Sequence, residues 1–474
     1  MKTYVADLDG TIIKTDMLFE TFVRRLRKSP YVLFLIPFWL LKGRAFLKAK
    51  LSDGVSVSPQ ALPYNKEVLW FLRKMKGEGH RVVLATAASE KMALDVSDHL
   101  KCFDAVYSSD DQINLKATKK REKILLEEKK SSDIIYLGDS KADFKVWGDG
   151  VNAIPVGSKR FIQAVHSKFT VERDFEIEKG GVKPYIKAIR VHQWAKNALI
   201  LLPLLLYPGG VLDAGNFLIC FLAILSFSLC ASSVYLLNDL FDLESDRVHD
   251  KKRFRPLAVG SVSISSALFM IPLLLIGAFL LASYVSSSFF IVLICYYILT
   301  SLYSFVLKSI AVLDVMVLAT LYTTRIFAGG AALGITISNW LMAFSMFFFL
   351  SLAFVKRTTE LKNLKNKILD KSKKIHGRGY LIEDLVTVQC FGMVSAVVSI
   401  LVFSLYVSSE TVRQNYSFPE GLWFSSLILF FWITRVWILT NRGEMDDDPV
   451  VFAVKDRISY FVGVLIVINF VLSL

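Results

Sequence analysis

A group of carboxylates interrupts the apolar sequence near the middle of the chain. The segment 235–246 reads YLLNDLFDLESD, and on a helix Asp239, Asp242 and Asp246 fall at positions i, i+3 and i+7, on one face. Three carboxylates at a membrane boundary repel each other and are costly to remove from water. A divalent cation relieves both problems, and oxygen-only ligands favour Mg²⁺. We predict a Mg²⁺ site on Asp239 and Asp242; the alternative is a solvated acidic helix end.

Two further carboxylates follow a β-type run at the start of the chain. Asp7 and Asp9 lie in DLDGT, directly after 3–6. A carboxylate at a strand end can attack phosphorus and form an aspartyl-phosphate. The second carboxylate points the same way and can protonate the leaving group and later activate water. Gly10 lets the chain turn close to a phosphate.

Three more polar elements follow later in the same region, two of them at the ends of β-type runs. Thr86 offers a hydroxyl to a phosphate oxygen, and Asp139 and Asp143 in GDSKAD can hold Mg²⁺. A lysine in NLKATKK can neutralise developing charge. The sequence favours Lys120 for this role and leaves Lys116 and Lys119 open. A degenerate, regulatory domain is the alternative, which is disfavoured because no acid is missing.

The elements that position these residues differ along the chain. β-type runs at 3–6, 81–85 and 134–137 alternate with helical stretches at 65–76 and 117–129, which favours a parallel sheet with its site at the strand C-termini. The apolar stretch 31–41 has basic flanks and is too short to span a bilayer. It is predicted either as a cap helix on the membrane surface or as a buried cap helix. A charged linker follows at 171–190.

Composition agrees with a polar domain and a membrane domain on one chain. The 474 residues are 54% hydrophobic and 21% charged, and the mean hydropathy is +0.47. The net charge of +14 is explained by basic loops beside membrane spans and by anionic phosphate substrates. No nucleic-acid-binding motif is present, and five cysteines without a CxxC pair make disulfides and a zinc site improbable.

Apolar segments long enough to span recur from about residue 195, and we expect about nine helices. They lie at roughly 195–212, 216–238, 262–283, 287–307, 311–333, 338–356, 386–408, 420–439 and 457–474. Basic loops follow the second, fourth, sixth and eighth of them, at 247–255, Lys308, 356–378 and 435–442, whereas loops after odd-numbered helices carry little positive charge. By the positive-inside rule the N-terminus is cytoplasmic and the C-terminus outside. The first residues show no signal-peptide pattern, which leads to the same expectation.

The N-terminal elements, in this order, resemble the HAD phosphohydrolase superfamily over about residues 1–165. The resemblance implies that Asp7 is the nucleophile, Asp9 the general acid and base, and Thr86 a phosphate ligand. It further implies that Lys120 stabilises charge and that Mg²⁺ is held by Asp7, Asp9, Asp139 and Asp143.

The NDxxDxxxD pattern, the helix number and the topology resemble the UbiA superfamily of intramembrane transferases over about residues 185–474. Members that use a prenyl diphosphate carry a second acidic motif of the DxxxD kind on a later helix. The corresponding region here holds one acid, Asp314. This departure weakens the interpretation of a two-site Mg²⁺ cage on a prenyl diphosphate.

Other segments are similar to one branch, the decaprenyl-phosphate phosphoribosyltransferases. They are RVHQWAKN at 190–197, KRFRPLAVG from Lys252, Tyr303 with Lys308, and EMDDDPVVFA at 444–453. The DDD of the last segment is alternatively a solvated turn, and Lys196 alternatively a residue that reaches for lipid headgroups. The predicted substrate-binding residues are Arg190, Lys196, Asn197, Asn238, Asp246, Lys252, Arg253, Arg255, Tyr303, Lys308, Asp314 and Arg325.

We therefore predict an α/β Rossmann-like HAD domain at 1–170, with a cap helix at about 30–50, and an all-α polytopic membrane domain at 191–474. The predicted activity is Mg²⁺-dependent transfer of 5-phosphoribose from phosphoribosyl diphosphate (PRPP) to a polyprenyl phosphate, followed by removal of the 5-phosphate in the HAD domain. The alternative is transfer of a prenyl group to an aromatic or other acceptor, with the HAD domain acting on a separate ester. The expected partners are PRPP, polyprenyl phosphate and membrane lipids, without nucleic acid; the oligomeric state stays open.

Overall fold

The computed structural model describes residues 1–109, 115–128, 133–148, 150–177, 180–206, 213–367, 378–446 and 448–473. The chain forms two compact units. The first contains Met1–Ile189 and Tyr235–Ile271, and the second contains Arg190–Val234 and Pro272–Leu474. The acidic segment from the middle of the chain therefore belongs with the N-terminal residues, a grouping that the sequence pattern does not predict.

Parallel strands form the centre of the first unit. They are β1 (Lys2–Ala6), β2 (Arg81–Ser89), β3 (Ala105–Ser109), β4 (Asp133–Gly138), β5 (Val151–Gly157) and β6 (Phe175–Glu176). The strand order is β3-β2-β1-β4-β5-β6, so β1 lies between β2 and β4. Ala6 is in register with Leu84 on one side and Leu137 on the other, which brings three strand C-termini to one edge. The predicted Rossmann-like sheet is confirmed.

Both faces of this sheet are buried. Tyr4 and Val82 belong to one apolar cluster, and Val5 and Val83 to the other. Because both faces are covered, the strands are continuously apolar, as parallel strands usually are. The helices of the N-terminal residues are α1 (Met17–Lys28), α2 (Val32–Leu41), α3 (Arg44–Ser52), α4 (Lys66–Gly77), α5 (Glu90–Leu100), α6 (Thr118–Glu127), α7 (Lys159–His166) and α8 (Lys183–Ala188).

Helices dominate the described residues after 190. A 3₁₀ helix at Val191–Leu201 precedes them, and further 3₁₀ turns lie at Lys252–Phe254 and Leu307–Ser309. The α-helices are α9 (Leu202–Leu206), α10 (Ala214–Phe241), α11 (Leu243–Val248), α12 (Pro256–Val259), α13 (Ile264–Val285), α14 (Ser287–Phe305), α15 (Leu313–Leu333), α16 (Asn339–Lys367), α17 (Leu385–Val407), α18 (Glu410–Asn415), α19 (Leu422–Arg442), α20 (Pro449–Lys455) and α21 (Arg457–Ser473).

Seven helices of the described chain are long and apolar enough to cross a membrane, namely α10, α13, α14, α15, α16, α17 and α19. They match the second to eighth of the nine predicted spans and make this a multi-pass membrane protein. The first predicted span, 195–212, is a 3₁₀ helix followed by α9, and 207–212 lies outside the described residues. The ninth, α21, has only 17 residues. The count of nine is thus not confirmed, because apolar composition does not reveal where a helix breaks.

A buried ion pair joins α1 to the segment that follows the acidic residues. Arg247 of α11 donates two hydrogen bonds to the Glu20 carboxylate, at 3.2 and 2.6 Å. The two side chains are only 5% and 2% exposed. Arg27 of α1 also donates to the carbonyl oxygen of Phe241 at 2.6 Å. These contacts, all within the first unit, explain why the acidic segment groups with the sheet.

We expect Glu20→Gln to lower the free energy of unfolding of the first unit by about 3–5 kcal/mol, because it leaves the Arg247 guanidinium buried without its counter-charge. Denaturant unfolding of detergent-solubilised protein, followed by intrinsic fluorescence, measures this change. The control is Glu127→Gln, which removes a pair with Lys123 whose side chains are 42% and 45% exposed. This control should cost less than about 1 kcal/mol. Equal costs for the two substitutions would contradict the assignment.

Candidate functional site

Three carboxylates meet at the C-terminal edge of the sheet. Asp7 follows β1, and Asp139 and Asp143 follow β4. Each offers one ligand oxygen, and these oxygens all lie within 4.8 Å of one another. Burial, and then the neighbouring Asp7 and Asp143, raise the pKa of Asp139 to about 8. A donor set of hard oxygens that repel each other in this way fits Mg²⁺.

Lys120 contacts the first of these carboxylates. Its ammonium nitrogen lies 2.8 Å from Oδ2 of Asp7 and 2.8 Å from the hydroxyl of Tyr136. The Lys120 side chain is only 3% exposed. The other two lysines that the sequence leaves open, Lys116 and Lys119, are both exposed. The geometry therefore favours Lys120 as the residue that neutralises charge beside Asp7.

Asp9 lies apart from the three-carboxylate group. Its carboxylate accepts a hydrogen bond from the Met17 N–H at 2.9 Å. Burial, together with the charges of Asp16 and Asp7, raises its pKa well above the ordinary value. A carboxyl group that keeps its proton suits a general acid. The sequence also predicts Asp9 as a metal ligand, but among the described residues its side chain is not part of the metal-compatible group.

Two glycines allow the loops at this edge to approach each other. Gly10 has a φ of +72°, and a Cβ there would lie 2.1 Å from Oδ2 of Asp139. A Cβ at Gly138 would lie 2.7 Å from Cγ of Asp143. Larger residues at either position would displace the carboxylates.

The structure places Thr86 differently from the prediction. The strand β2 continues to Ser89, and the Thr86 hydroxyl is fully buried, where it accepts a hydrogen bond from the Ala88 N–H at 3.0 Å. A cavity of about 580 Å³ opens at this edge of the sheet, and at β2 it is lined by Ala87. The role of the Thr86 hydroxyl as a phosphate ligand stays a prediction.

The acidic segment carries a fixed cation of its own. Arg255 donates to Asp239 at 3.0 Å and to Asp246 at 2.6 Å, and both carboxylates are nearly fully buried. Asp242 lies at the break between α10 and α11. Among the described residues, the metal-compatible group does not include these three aspartates, so the Mg²⁺ site on Asp239 and Asp242 stays a prediction. Burial still raises the pKa of Asp246, against the opposing effect of Arg255.

The other predicted substrate residues near this segment differ in exposure. Lys252 and Arg253 are exposed on their 3₁₀ turn, whereas Asn238 is half-buried. Arg255, predicted as a phosphate ligand, instead bridges two carboxylates. In the second unit, Arg190 and Lys308 are half-buried.

Lys196 of the second unit forms an ion pair with Asp448, and Lys356 lies 3.9 Å from the same carboxylate. Asp448 also caps α20 by accepting from the N–H groups of Val450 and Val451. Although burial opposes it, the two ammonium groups hold the pKa of Asp448 at about 2. The alternative interpretations of Lys196 as a headgroup-seeking residue and of Asp448 as a solvated turn residue are wrong. Asp446 is exposed, and Asp447 lies outside the described residues.

Arg325 lies near the ion pair of Lys196 and Asp448 and is surrounded by aromatic rings. Its Nε donates to Oδ1 of Asn197 at 2.8 Å, and Asn197 donates to Ser228 at 2.8 Å. The guanidinium lies 5.4 Å from the ring centre of Tyr322, which the Lys196 ammonium also faces at 5.7 Å. The structure thus brings three predicted residues, Lys196, Asn197 and Arg325, into one polar group.

Asp314 is fully buried between arginines. It accepts hydrogen bonds from Arg357, from Arg378 at 2.9 Å and from the Tyr303 hydroxyl at 2.8 Å. Arg357 also pairs with Glu360. The sequence assigned 356–378 only to a basic loop, so the roles of Lys356, Arg357, Glu360 and Arg378 were missed. The signal that could have found them is the group of charged side chains directly after a long apolar segment. At that position a membrane helix can continue, and its side chains are then still buried.

Comparison with known proteins identifies the family. The model of the UbiA prenyltransferase family matches residues 198–455. The Sinorhizobium fredii protein y4nM is 38% identical over 475 residues, which cover 99% of this chain and 90% of that protein. The decaprenyl-phosphate phosphoribosyltransferase of Mycobacterium tuberculosis is 32% identical over 279 residues, which cover 58% of this chain and 88% of that enzyme.

Solved structures give weaker likenesses for each part. A UbiA homolog from Archaeoglobus fulgidus, bound to DMAPP and Mg²⁺, has a TM-score of 0.47 and 14% identity over 61% of this chain and 98% of its own. A HAD family hydrolase from Salmonella enterica serovar Typhi has a TM-score of 0.27 and 15% identity over 37% of this chain and 67% of its own. Both TM-scores are below 0.5, so the assignment of the fold depends on the helices and strands described above and not on these structures. The sequence matches decide the family, and the chain belongs to the UbiA prenyltransferase family.

Proposed function

We propose that the membrane part transfers 5-phosphoribose from PRPP to a polyprenyl phosphate, and that the N-terminal part removes the 5-phosphate from the lipid product. The residues around Asp314 are the main support for the proposed transfer of phosphoribose. The second acidic motif typical of prenyl-diphosphate users is reduced to this one acid, and Arg357 and Arg378 neutralise it. A site that replaces a second carboxylate pair with guanidinium groups suits a compact polyanion with a separate phosphate.

The excess of cations in the second unit supports the same substrate. Five basic side chains and three carboxylates take part in its ion pairs and hydrogen bonds at Asp314, Asp448 and Arg325. Burying an arginine or a lysine in a membrane protein costs free energy, so such residues usually mark a functional site. The name of the Mycobacterium tuberculosis relative adds independent support for PRPP and a polyprenyl phosphate.

An apolar cavity in the second unit suits the lipid chain. It measures about 340 Å³, and Leu202, Trp340, Phe344 and Phe470 contribute to its lining. Leu202 directly follows the 3₁₀ helix that carries Lys196 and Asn197. An isoprenoid tail is purely apolar and gains free energy in such surroundings.

In the proposed transfer, an oxygen of the lipid phosphate attacks C1 of the ribose while the bond from C1 to the diphosphate oxygen breaks. Asp239 and Asp242 would hold Mg²⁺, which neutralises the charge of the departing diphosphate. The sequence prediction assigns the binding of phosphate oxygens to Lys196, Lys252 and Arg253. The excess of positive charge in the predicted loops supports a cytoplasmic position for both sites.

In the proposed hydrolysis, Asp7 attacks the 5-phosphorus and the bond to the ribose oxygen breaks. Asp9 donates a proton to that oxygen, and Lys120 offsets the developing charge. Water then attacks the aspartyl-phosphate, Asp9 takes its proton, and inorganic phosphate leaves with Asp7 regenerated. Asp7, Asp139 and Asp143 would hold the Mg²⁺ that neutralises the phosphate.

Purified protein with Mg²⁺, polyprenyl phosphate and PRPP labelled in the ribose should form a labelled lipid. We expect Asp239→Asn and Asp242→Asn each to lower this rate about 100-fold or more, because charge on the diphosphate is no longer neutralised. Glu410→Gln is the control, since its side chain is 79% exposed and should leave the rate unchanged. Label transfer from a prenyl diphosphate, with none from PRPP, would replace the proposal with the prenyltransferase alternative.

The arginines around Asp314 should act on substrate affinity. We expect Arg378→Ala to raise the KM for PRPP about tenfold, since a hydrogen bond to a charged group contributes about 1.5–3 kcal/mol. Steady-state kinetics with varied PRPP measure this change. Arg413→Ala, at a side chain that is 67% exposed, is the matched control. An unchanged KM in Arg378→Ala would show that Arg378 does not bind PRPP.

The order of the two reactions is tested by Asp7→Asn. This variant should transfer phosphoribose at the normal rate and accumulate the phosphorylated lipid, because only the nucleophile of the hydrolysis is lost. Chromatography of the radiolabelled lipids separates the two products. Asp98→Asn, at an exposed position of α5, should give the dephosphorylated lipid as the wild type does. If Asp7→Asn also gives the dephosphorylated lipid, the coupling does not exist.

A further inference from the structure

Helix α2 presents an apolar surface to solvent. It contains no charged side chain, and of its ten residues only Val32 is buried. Leu33, Phe34, Phe38 and Leu41 are 53%, 76%, 65% and 86% exposed. Removing side chains of this size from water contributes about 1.5–3 kcal/mol each. The buried cap helix, one of the two alternatives from the sequence, is therefore wrong, and α2 is suited to an apolar environment outside the unit.

Basic residues flank this helix on both sides. At about 1.5 Å per residue α2 is roughly 15 Å long, about half the thickness of a bilayer core, so it cannot span. A short apolar helix between basic segments fits the interface of a bilayer that contains anionic lipids. The flanking residues are Arg24, Arg25, Arg27 and Lys28 before α2, and Lys42, Lys48 and Lys50 after it.

The cavity that contains Asp7 borders both α2 and the start of a membrane-spanning helix. Leu40 of α2 lines one part of its wall, and Ser263 and Ile264 line another. Ile264 is the first residue of α13, which is 22 residues long and apolar enough to span. Just before it, Gly260 packs so closely on the loop after Asp9 that a Cβ would lie 2.9 Å from the carbonyl oxygen of Lys14.

The end of a spanning helix lies at the membrane surface, and a cavity that it lines lies there too. All the lining residues belong to the first unit. Four lysines line this cavity beside five carboxylates, and their ammonium groups are available to contact the oxygens of an anionic headgroup. The lysines are Lys14, Lys48, Lys116 and Lys120, and the carboxylates are Asp7, Asp9, Asp16, Asp139 and Asp143.

We propose that this cavity is an interfacial site: α2 inserts into the headgroup region of the bilayer that α13 crosses, and the substrate is a phosphate monoester carried by a membrane lipid. The substrate class rests on the hydrolysis proposed above, whereas the insertion of α2 does not. Hydrolysis consumes one water and yields the lipid-borne alcohol and inorganic phosphate. A lipid-borne ester is concentrated at the opening of this cavity because it is attached to the membrane. A water-soluble ester has no such attachment.

Insertion is tested first, without any substrate. The full chain, with the exposed Cys295 and Cys390 replaced by serine, carries Phe34→Cys labelled with an environment-sensitive fluorophore in vesicles of phosphatidylcholine and phosphatidylglycerol. The matched control is Trp70→Cys on α4, at a side chain that is 62% exposed. The emission at position 34 should shift to the blue and be quenched by brominated lipids, with neither effect at position 70. Equal emission at both positions would overturn the insertion.

Substrate choice is tested with ribose 5-phosphate in solution and with the same ester attached to a polyprenyl phosphate in vesicles. The wild type should prefer the lipid ester by at least about tenfold in kcat/KM, because attachment raises the effective concentration. The combined variant Leu33→Gln, Phe34→Gln, Phe38→Gln should lose this preference and retain its hydrolysis of ribose 5-phosphate. The control combines Trp70→Gln, Leu94→Gln and Leu126→Gln, at exposed positions outside α2, and should behave as the wild type.

The outcomes separate the two proposals. Equal kcat/KM for both esters in the wild type would overturn the lipid substrate while leaving the hydrolysis intact. Hydrolysis of neither ester would overturn the proposed phosphatase activity, and the lipid substrate class with it, while the fluorescence at position 34 still decides whether α2 inserts.

Discussion

Charge that is buried in an apolar environment must be matched by opposite charge close by, since water is not present to stabilise it. Arg255 meets this requirement for Asp239 and Asp246, Arg357 and Arg378 for Asp314, and Arg247 for Glu20. The pairs of Arg247 with Glu20 and of Arg357 with Asp314 join residues that are 227 and 43 positions apart, each within its own unit. Carboxylates that are paired in this way are held in position before any ligand arrives, which would lower the reorganisation that the proposed reactions demand.

The same requirement distinguishes the acidic groups from one another. Asp7, Asp139 and Asp143 keep their oxygens within 4.8 Å, and Lys120 is the one cation paired with them in the described part of the chain, so this group is suited to a metal ion. Asp314 has two guanidinium groups and a tyrosine hydroxyl around it, so its charge is already matched. In the acidic segment, Arg255 pairs with Asp239 and Asp246. The differences between the first two groups support a metal at Asp7, Asp139 and Asp143 and anion binding beside Asp314.

The first unit joins the sheet to the segment that ends a membrane helix. The pair of Glu20 and Arg247 is buried, and Gly260 packs on the loop that follows Asp9. The loop that follows Asp9 is therefore in contact with the residues that lead into α13, a helix long and apolar enough to span a membrane. Such an attachment is what a hydrolase acting on a lipid-borne ester would need, because the ester cannot leave the bilayer surface to reach a distant site.

Local features of the sequence determined much of this protein. Strand ends followed by carboxylates located Asp7, Asp139 and Asp143, since a short apolar run and the polar residue after it are neighbours in the chain. Apolar length located seven spans, because hydropathy is a property of a single segment. Tertiary structure decided which cation meets which carboxylate: Lys196 and Asp448 are 252 positions apart, and Arg357 and Asp314 are 43 apart. It also decided that α2 is exposed and that 235–271 packs with the sheet, because burial depends on the surface that folding brings against a segment, which its own residues do not specify.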